Sequence, residues 1–254
     1  MALLDVKNCT LRFGGLTAVN AVNFSLADRE LLAIIGPNGA GKTTLFNLLT
    51  GIYTATEGQL LFEGESLAQV SPQKINQRGI ARTFQNIRLF SNLTVADNVR
   101  AAFYNELKPG LAAAVLKTSA YRDGEKQIND RVMTLLTLFH LQQKADEEAK
   151  NLAYGEQRKL EIVRALATSP KCLLLDEPAA GMNPSEKKDL VALIRKIHAE
   201  YNLAIILIEH DMKVVMTIAP RIIVLDYGVM IAEGTPDEIR KNPKVIEAYL
   251  GEMP

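Results

Sequence analysis

The chain has 254 residues, a formal net charge of zero and a hydrophobic fraction of 48%. This length allows one large α/β domain or one domain with a smaller lobe. The balanced charge excludes the strongly basic composition that is typical of nucleic-acid-binding proteins, so we expect no nucleic-acid partner.

Cysteine usage and hydropathy limit where the protein works. Cys9 and Cys172 lie in apolar segments and are predicted to be buried, reduced thiols. No apolar stretch reaches the roughly 18 residues that would suggest a membrane span, and the first residues do not resemble a signal peptide. We therefore expect a cytoplasmic protein that reaches a membrane only through a partner.

The first third of the chain predicts strands around a glycine-rich segment. Two alternating strands, 6–13 and 18–26, flank a Gly-Gly turn. A buried apolar strand at 31–35 precedes the glycine-rich segment, and a helix follows at 43–49. Further short strands are predicted at 59–62 and 80–85.

The middle of the chain is predicted to be helical. Thr94 and Asp97 form a capping-box-like start for a helix that extends to about Leu107. Apolar side chains recur at helical spacing farther on; they are Ile128, Val132, Leu135, Leu136 and Phe139. We expect residues 88–155 to form an all-helical subdomain between segments 1–87 and 156–254.

Strand and helix alternate again in the last third. Strands are predicted from Cys172, from Leu203 and over 221–228, with a helix at 186–201 between the first two. Thr235 and Glu238 predict a capped helix, and one more short helix ends the chain. His140 and His198 match no motif and are predicted to be solvated helix residues.

GPNGAGKT, at residues 36–43, matches the G-x-x-x-x-G-K-[ST] phosphate loop between a strand and a helix. Its glycines let amide N–H groups surround phosphate oxygens, and the helix N-terminus adds partial positive charge. Lys42 would reach the β- and γ-phosphates, and the Thr43 hydroxyl would bind Mg²⁺. The residues predicted to hold the nucleotide here are Gly36, Asn38, Gly39, Ala40, Gly41, Lys42, Thr43 and Thr44.

Two carboxylates follow the apolar run of CLLLDEP at what we expect to be the ligand-binding edge of a parallel sheet. Asp176 is placed to hold Mg²⁺ through water. Glu177 is placed to orient or deprotonate an attacking water.

The order phosphate loop, Gln85, LAYGEQ (residues 152–157), CLLLDEP and His210 resembles the nucleotide-binding subunit of ATP-binding cassette (ABC) transporters. The resemblance covers essentially the whole chain. It implies an α/β fold with a P-loop NTPase (RecA-like) core, an N-terminal antiparallel β subdomain and an inserted all-helical subdomain. Residues 1–87 and 156–254 would then supply the two parts of the core.

The resemblance also implies roles for residues that lie outside the phosphate loop. Phe13 would stack on adenine, Gln85 would contact Mg²⁺ or water, and His210 would touch the γ-phosphate. A second cassette, identical or paralogous, would present its LAYGEQ segment to the ATP bound by the first. The residues implied in that contact are Ala153, Gly155 and Glu156.

Two positions depart from the family pattern. Ala153 replaces the serine of the L-S-G-G-Q signature, which removes a hydrogen bond worth about 1–3 kcal/mol if it is made to a charged group. Asn183 replaces an aspartate in the loop after Glu177, which keeps hydrogen bonding and loses charge. We therefore expect a modest ATPase.

Longer segments such as RTFQNIRLF and DEPAAGMNP narrow the resemblance to ATP-binding subunits of bacterial branched-chain amino acid importers. Extra residues around 106–126 fit that group. It implies multi-span membrane permeases, indirectly a solute-binding protein, and a peripheral position at the cytoplasmic face of the inner membrane. Urea or short-chain amide importers, exporter cassettes and soluble ABC-type switch ATPases remain alternatives.

Overall fold

The computed structural model describes residues 2–105 and 119–250. The contacts divide the described chain into two compact units, one of residues 2–85 and 170–250 and one of residues 86–169 without 106–118. This division differs from the predicted subdomain boundaries at 87 and 155, because the helix that begins at Tyr154 packs within the second unit. Part of the predicted 106–126 extension lies outside the described residues. The helix predicted to reach about Leu107 is shorter than expected: its α-helical part ends at Arg100, and the tighter 3₁₀ helix Ala101–Asn105 follows it.

The first unit contains a four-stranded antiparallel sheet in the order β2-β1-β4-β5. Its strands are β1 (Ala2–Phe13), β2 (Leu16–Ala27), β4 (Glu57–Phe62) and β5 (Glu65–Ser66). Alternation along β1 buries Leu4 and Val6, because successive side chains of a strand point to opposite faces. Irregular pairing with β2 between Val6 and Leu11 then shifts the buried face, so that Cys9 and Leu11 also lie in the core. The predicted N-terminal strands are therefore confirmed.

A six-stranded sheet in the order β10-β9-β3-β8-β7-β6 forms the centre of the same unit. All neighbours are parallel except the edge strand β10. The strands are β3 (Leu31–Ile35), β6 (Ile80–Arg82), β7 (Cys172–Asp176), β8 (Ala204–Ile208), β9 (Arg221–Asp226) and β10 (Val229–Gly234). Because parallel strands end at one edge, the segments after β3, β6, β7 and β8 come together there.

Helices connect the strands and cap both units. In chain order they are α1 (Lys42–Leu49), α2 (Pro72–Arg78), α3 (Val95–Arg100), α4 (Ser119–Leu138), α5 (Tyr154–Ala167), α6 (Pro184–Tyr201), α7 (Met212–Ile218), α8 (Pro236–Lys241) and α9 (Pro243–Leu250). The second unit contains α3, α4 and α5. As predicted, the Thr94 side chain accepts a hydrogen bond from Asp97 N, and the apolar face of α4 is buried.

Three further local predictions need correction. The strand predicted over 80–85 is shorter and ends at Arg82. Thr83 N makes the last hydrogen bond to the neighbouring strand, to Leu174 O, and the chain then leaves the sheet. His140 lies beyond α4 with a φ of 59°, in the left-handed conformation that ends many helices. His198 lies within α6, but its Nε2 is 2.9 Å from Arg29 O rather than fully solvated. Within the described ranges, no helix is long and apolar enough to cross a membrane.

Candidate active site

The glycine-rich loop joins β3 to α1 and depends on close backbone packing. A Cβ on Gly36 would lie 2.0 Å from Leu225 O, and one on Gly41 would lie 2.5 Å from Ala18 O. A Cβ on Gly39 would meet nothing within 4 Å. The outer two glycines therefore let the loop pack on neighbouring strands, while the space beside Gly39 can admit a ligand.

Lys42, the first residue of α1, is held on its own loop. Its Nζ donates to Gly36 O at 2.6 Å and to Pro37 O at 2.7 Å. Burial lowers the pKa of Lys42, and the charges of Glu177 and Asp176 oppose that shift. No side chain caps the N-terminus of α1, so its amide N–H groups can receive an anion.

A cavity of about 460 Å³ opens over this loop. It is lined by Phe13, Leu16, Thr17, Ala18, Asn38, Gly39, Ala40, Gly41, Lys42, Thr43, Thr44, Gln85, Glu177 and Tyr227. Phe13 is 44% exposed and rests edge-on against Tyr53, with ring centroids 5.1 Å apart. An exposed, supported aromatic ring beside a phosphate loop suits the stacking of a flat base.

The two predicted carboxylates at the end of β7 have different surroundings. Asp176 is buried, and its Oδ2 accepts a hydrogen bond from Arg82 Nη2 at 2.7 Å. Glu177 follows with a φ of 49°, which is unusual for a residue with a side chain. Its backbone N–H donates to Ile208 O at 2.9 Å, which holds this conformation and turns the carboxylate toward the cavity that it lines.

Glu177 is also the meeting point of two other predicted residues. Gln85 Nε2 donates to Glu177 Oε2 at 3.1 Å. His210 Nδ1 lies 3.6 Å from the same oxygen, and its side chain is 59% exposed. The structure therefore brings Gln85, Glu177 and His210 together at the carboxyl edge of the sheet.

Glu209 is a buried carboxylate between two loops of this edge. Its Oε1 accepts from Ala179 N at 2.8 Å, and its Oε2 accepts from His210 N at 3.2 Å and from Asp211 N at 3.4 Å. Burial raises the pKa of Glu209 despite these three N–H donors, which act in the opposite direction. Glu209 thus ties the backbone beside His210 to the backbone after Glu177.

The LAYGEQ segment lies in the second unit, where it begins α5. Ala153 is exposed at the N-cap and offers no hydroxyl. Glu156 Oε2 accepts from Ala153 N at 3.1 Å and from Lys144 Nζ at 2.7 Å. Gly155 is buried within the first turn. Glu156 is thus engaged in capping its own helix, a role that the sequence comparison with L-S-G-G-Q did not assign.

Asn183, the second departure from the family pattern, has a local structural role. Its Oδ1 accepts from Ser185 N at 2.9 Å and from Glu186 N at 3.0 Å, and so caps α6. Asparagine is among the best N-cap residues. Replacing an aspartate with Asn183 therefore preserves the helix start.

Sequence reasoning missed Arg82, Glu209 and Tyr227. Arg82 stands three residues before Gln85 in RTFQ, and Glu209 directly precedes His210 after an apolar strand. A charged residue at the end of a buried strand is the signal that could have drawn attention to both. Tyr227 belongs to a Tyr-Gly turn and is 86% exposed. Nothing in the sequence around it indicates that it lines the cavity.

The described residues contain no cluster of three or more His, Cys, Asp or Glu side chains that could hold a metal ion. Thr43, Gln85 and Asp176 instead offer isolated oxygen donors. Such a sparse set fits Mg²⁺, which keeps several waters and binds through one or two protein groups together with phosphate oxygens. It does not fit a metal that needs a full protein cage.

Comparisons with known proteins identify the family. The family model described as "ABC transporter" matches residues 19–180, and one described as "Branched-chain amino acid ATP-binding cassette transporter" matches residues 229–253. The high-affinity branched-chain amino acid transport ATP-binding protein LivG of Escherichia coli strain K12 is 49% identical over 98% of both chains. The corresponding protein BraF of Pseudomonas aeruginosa is 47% identical over the same share.

Solved structures show the same architecture. The ADP conformation of MJ1267, an ATP-binding cassette of an ABC transporter, is 30% identical, covers 99% of this chain and 100% of its own, and superposes with a TM-score of 0.85. CbiO1 from Clostridium perfringens, part of the ABC transporter complex cbiONQ, is 26% identical with a TM-score of 0.81. The predicted P-loop α/β fold is confirmed. The chain therefore belongs to the ABC transporter family, as one of its ATP-hydrolysing cassettes.

Proposed function

We propose that this cassette energises the import of branched-chain amino acids at the cytoplasmic face of a bacterial inner membrane. The observation that carries the proposal is the match of residues 229–253 to the C-terminal segment of branched-chain amino acid cassettes. This segment lies outside the ATP-binding motifs that all cassettes share. The relatives LivG and BraF, which match nearly end to end, support the same substrate class.

ATP would occupy the cavity above the phosphate loop. The adenine stacks on Phe13, and the phosphates take the amide N–H groups of residues 38–44 and the Lys42 ammonium. To do so, Lys42 exchanges its two loop carbonyls for phosphate oxygens, which are better partners for a cation. Thr43 and Gln85 would hold Mg²⁺, and Asp176 would hold it through water; the ion would neutralise phosphate charge.

Hydrolysis would depend on Glu177. Its carboxylate lines the cavity and accepts a proton from, or orients, the water that attacks the γ-phosphate. Gln85 fixes the carboxylate through its hydrogen bond, and His210 reaches the γ-phosphate from the next strand. Positioning and charge stabilisation supply most of the catalysis in such phosphoryl transfers.

A complete site would need a second cassette, either a second copy or a paralogue. Ala153, Gly155 and Glu156 would present the N-terminus of α5 to the γ-phosphate held by the other subunit. Because Ala153 lacks a hydroxyl, backbone N–H groups must make this contact. Multi-span permeases would receive the resulting movement, and a solute-binding protein would deliver the amino acid to them.

The proposal is tested by purifying the tagged chain from native membranes in mild detergent, identifying the bound subunits and reconstituting the complex in liposomes. We expect multi-span permeases to co-purify and ATPase activity to rise with binding protein loaded with leucine, isoleucine or valine. A complex stimulated only by urea or short-chain amides would identify the rival importer class. Absence of any membrane partner would favour a soluble switch ATPase, and the Glu177→Gln variant is the matched inactive control.

A further inference from the structure

We propose that Arg82 is a positioning residue that holds the Asp176 carboxylate for magnesium and thereby sets the metal affinity of the nucleotide site. The inference rests on the proposed ATPase function. It concerns a residue that would act on the metal only through Asp176, since the Arg82 side chain is 5% exposed and its guanidinium donates to Asp176, Asn47 and Thr50.

The pair formed by Arg82 and Asp176 is short and buried. Arg82 Nη2 lies 2.7 Å from Asp176 Oδ2, and the two side chains are only 5% and 1% exposed. A charge-assisted hydrogen bond of this kind is directional as well as strong. Arg82 therefore restricts the rotation of the Asp176 carboxylate, and with it the direction in which the carboxylate faces.

Arg82 is itself anchored on other elements. Its Nη1 donates to Asn47 Oδ1 at 2.7 Å and to Thr50 Oγ1 at 3.3 Å, both on α1 or at its end. The guanidinium lies 5.3 Å from the ring centroid of Phe46 and 5.0 Å from that of Phe84. Because both terminal nitrogens are hydrogen-bonded and the group also contacts two aromatic rings, the guanidinium has little freedom to move.

These contacts connect the three segments that carry the expected metal ligands. Thr43 lies in the first turn of α1, to whose far end Arg82 is bonded. Gln85 follows Arg82 on the same segment, and Asp176 ends the neighbouring strand β7. One guanidinium therefore fixes the Asp176 carboxylate relative to α1 and to the segment after β6, which carry the other two expected ligands.

A purely structural role is the competing explanation, because breaking a buried ion pair by removing one partner is destabilising. The two explanations differ in what they predict for metal binding by folded protein. A positioning role lowers metal affinity in every folded variant that loses the planar guanidinium and its fixed set of N–H donors (the fork). A structural role lowers only the melting temperature.

The test measures Mn²⁺ binding by electron paramagnetic resonance in the presence of saturating ADP, and ADP binding itself in EDTA. The variants are Arg82→Lys, which keeps the charge but loses the fork, and Arg82→Met, which loses both. We expect both to weaken Mn²⁺ binding by about 10- to 100-fold, the usual effect of removing a group that orients a metal ligand. Affinity for metal-free ADP should change by less than about twofold, since Arg82 lies outside the phosphate-binding residues.

Asn47→Ala is the matched control, because it removes one anchor of Arg82 and leaves the ion pair to Asp176. It should weaken Mn²⁺ binding less than Arg82→Lys does. In an Asp176→Asn background, Arg82→Lys should add no further loss, because the two residues act as one unit. Circular dichroism and melting curves establish that each variant is folded, and Arg82→Lys decides the matter if Arg82→Met does not fold.

Wild-type Mn²⁺ affinity in folded Arg82→Lys, or a fully additive loss in the Asp176→Asn background, would overturn the proposal. Tighter Mn²⁺ binding would overturn it too, since it would mean that Arg82 only reduces the local negative charge. Failure of the wild-type chain to bind ADP or Mn²⁺ would instead contradict the proposed ATPase function, so the two failures are distinguishable.

Discussion

Gln85 and Glu177 share a hydrogen bond of 3.1 Å although 92 residues separate them in the chain. The bond joins the segment that leaves β6 to the carboxylate that follows β7, and both side chains line the cavity above the phosphate loop. A movement of the Gln85 segment would therefore displace the group that we expect to activate water.

Glu177→Gln should keep ATP binding but lower turnover by about 10²- to 10⁴-fold, because the amide cannot take a proton from water. Steady-state ATPase assays and nucleotide titrations measure the two effects separately. Gln85→Ala is the comparison variant: it removes the hydrogen bond to Glu177 and one expected Mg²⁺ contact but leaves the carboxylate itself, so it should lower turnover less. Near wild-type turnover in Glu177→Gln would refute the assignment of Glu177.

Lys42→Ala should weaken ATP binding itself. The ammonium is the one side-chain cation that lines the described cavity, and a charge-assisted hydrogen bond to phosphate contributes about 1.5–3 kcal/mol, so we expect an increase in Kd of roughly 10- to 100-fold. Fluorescence titration with a labelled nucleotide measures it. Lys7→Ala changes an exposed lysine and should leave affinity unchanged. Equal affinity in wild type and Lys42→Ala would be incompatible with a phosphate-binding role.

Glu209 should make stability depend on pH. Burial raises its pKa above the ordinary 4.5, so the folded state binds more protons than the unfolded state at pH values between the ordinary pKa and the raised one. Its contribution to stability therefore declines as pH rises through that window and is constant above it. The free energy of unfolding of wild type minus that of Glu209→Gln should be smaller at pH 8 than at pH 5.

Urea denaturation at the two pH values measures this difference. Glu247→Gln, at an exposed carboxylate on α9, is the control and should show nearly the same small difference at both. The expected sign would be contradicted if the free energy of unfolding of wild type, minus that of Glu209→Gln, became larger at the higher pH.

The two thiols should not react in the native protein. Burial raises the pKa of Cys9 to about 11 and that of Cys172 to about 12, so almost no thiolate forms at pH 8. Treatment with Ellman's reagent should detect no thiol in the folded chain and both after unfolding in guanidinium. Ser119→Cys places a thiol at an exposed position and should react at once; rapid labelling of the unaltered native chain would show that the strands open.

Specific ATPase activity should rise with protein concentration, because we propose that two cassettes together form one complete site. Light scattering should detect an ATP-dependent dimer in Glu177→Gln, which binds ATP without consuming it. Lys42→Ala is the control and should stay monomeric with ATP. A rate strictly proportional to concentration, with no dimer, would argue that one chain is sufficient.

The sequence alone determined the local parts of the site. The glycines of the phosphate loop and the strand–loop–helix around them follow from residue types and spacing, as do the caps at Thr94 and Thr235. These features were predictable because each depends on a few consecutive residues. The order of the motifs further identified the family.

Only the tertiary structure decided which distant side chains meet. Arg82 pairs with Asp176 across 94 residues, and Glu209 reaches Ala179 across 30. Both contacts require the strand order β6-β7-β8, which sets neighbours by packing across the sheet and which no local pattern encodes. The phosphate loop could therefore be recognised in the sequence. The residues that hold the carboxylates of Asp176 and Glu177 in place could be identified only from the structure, because they meet where the parallel strands end side by side.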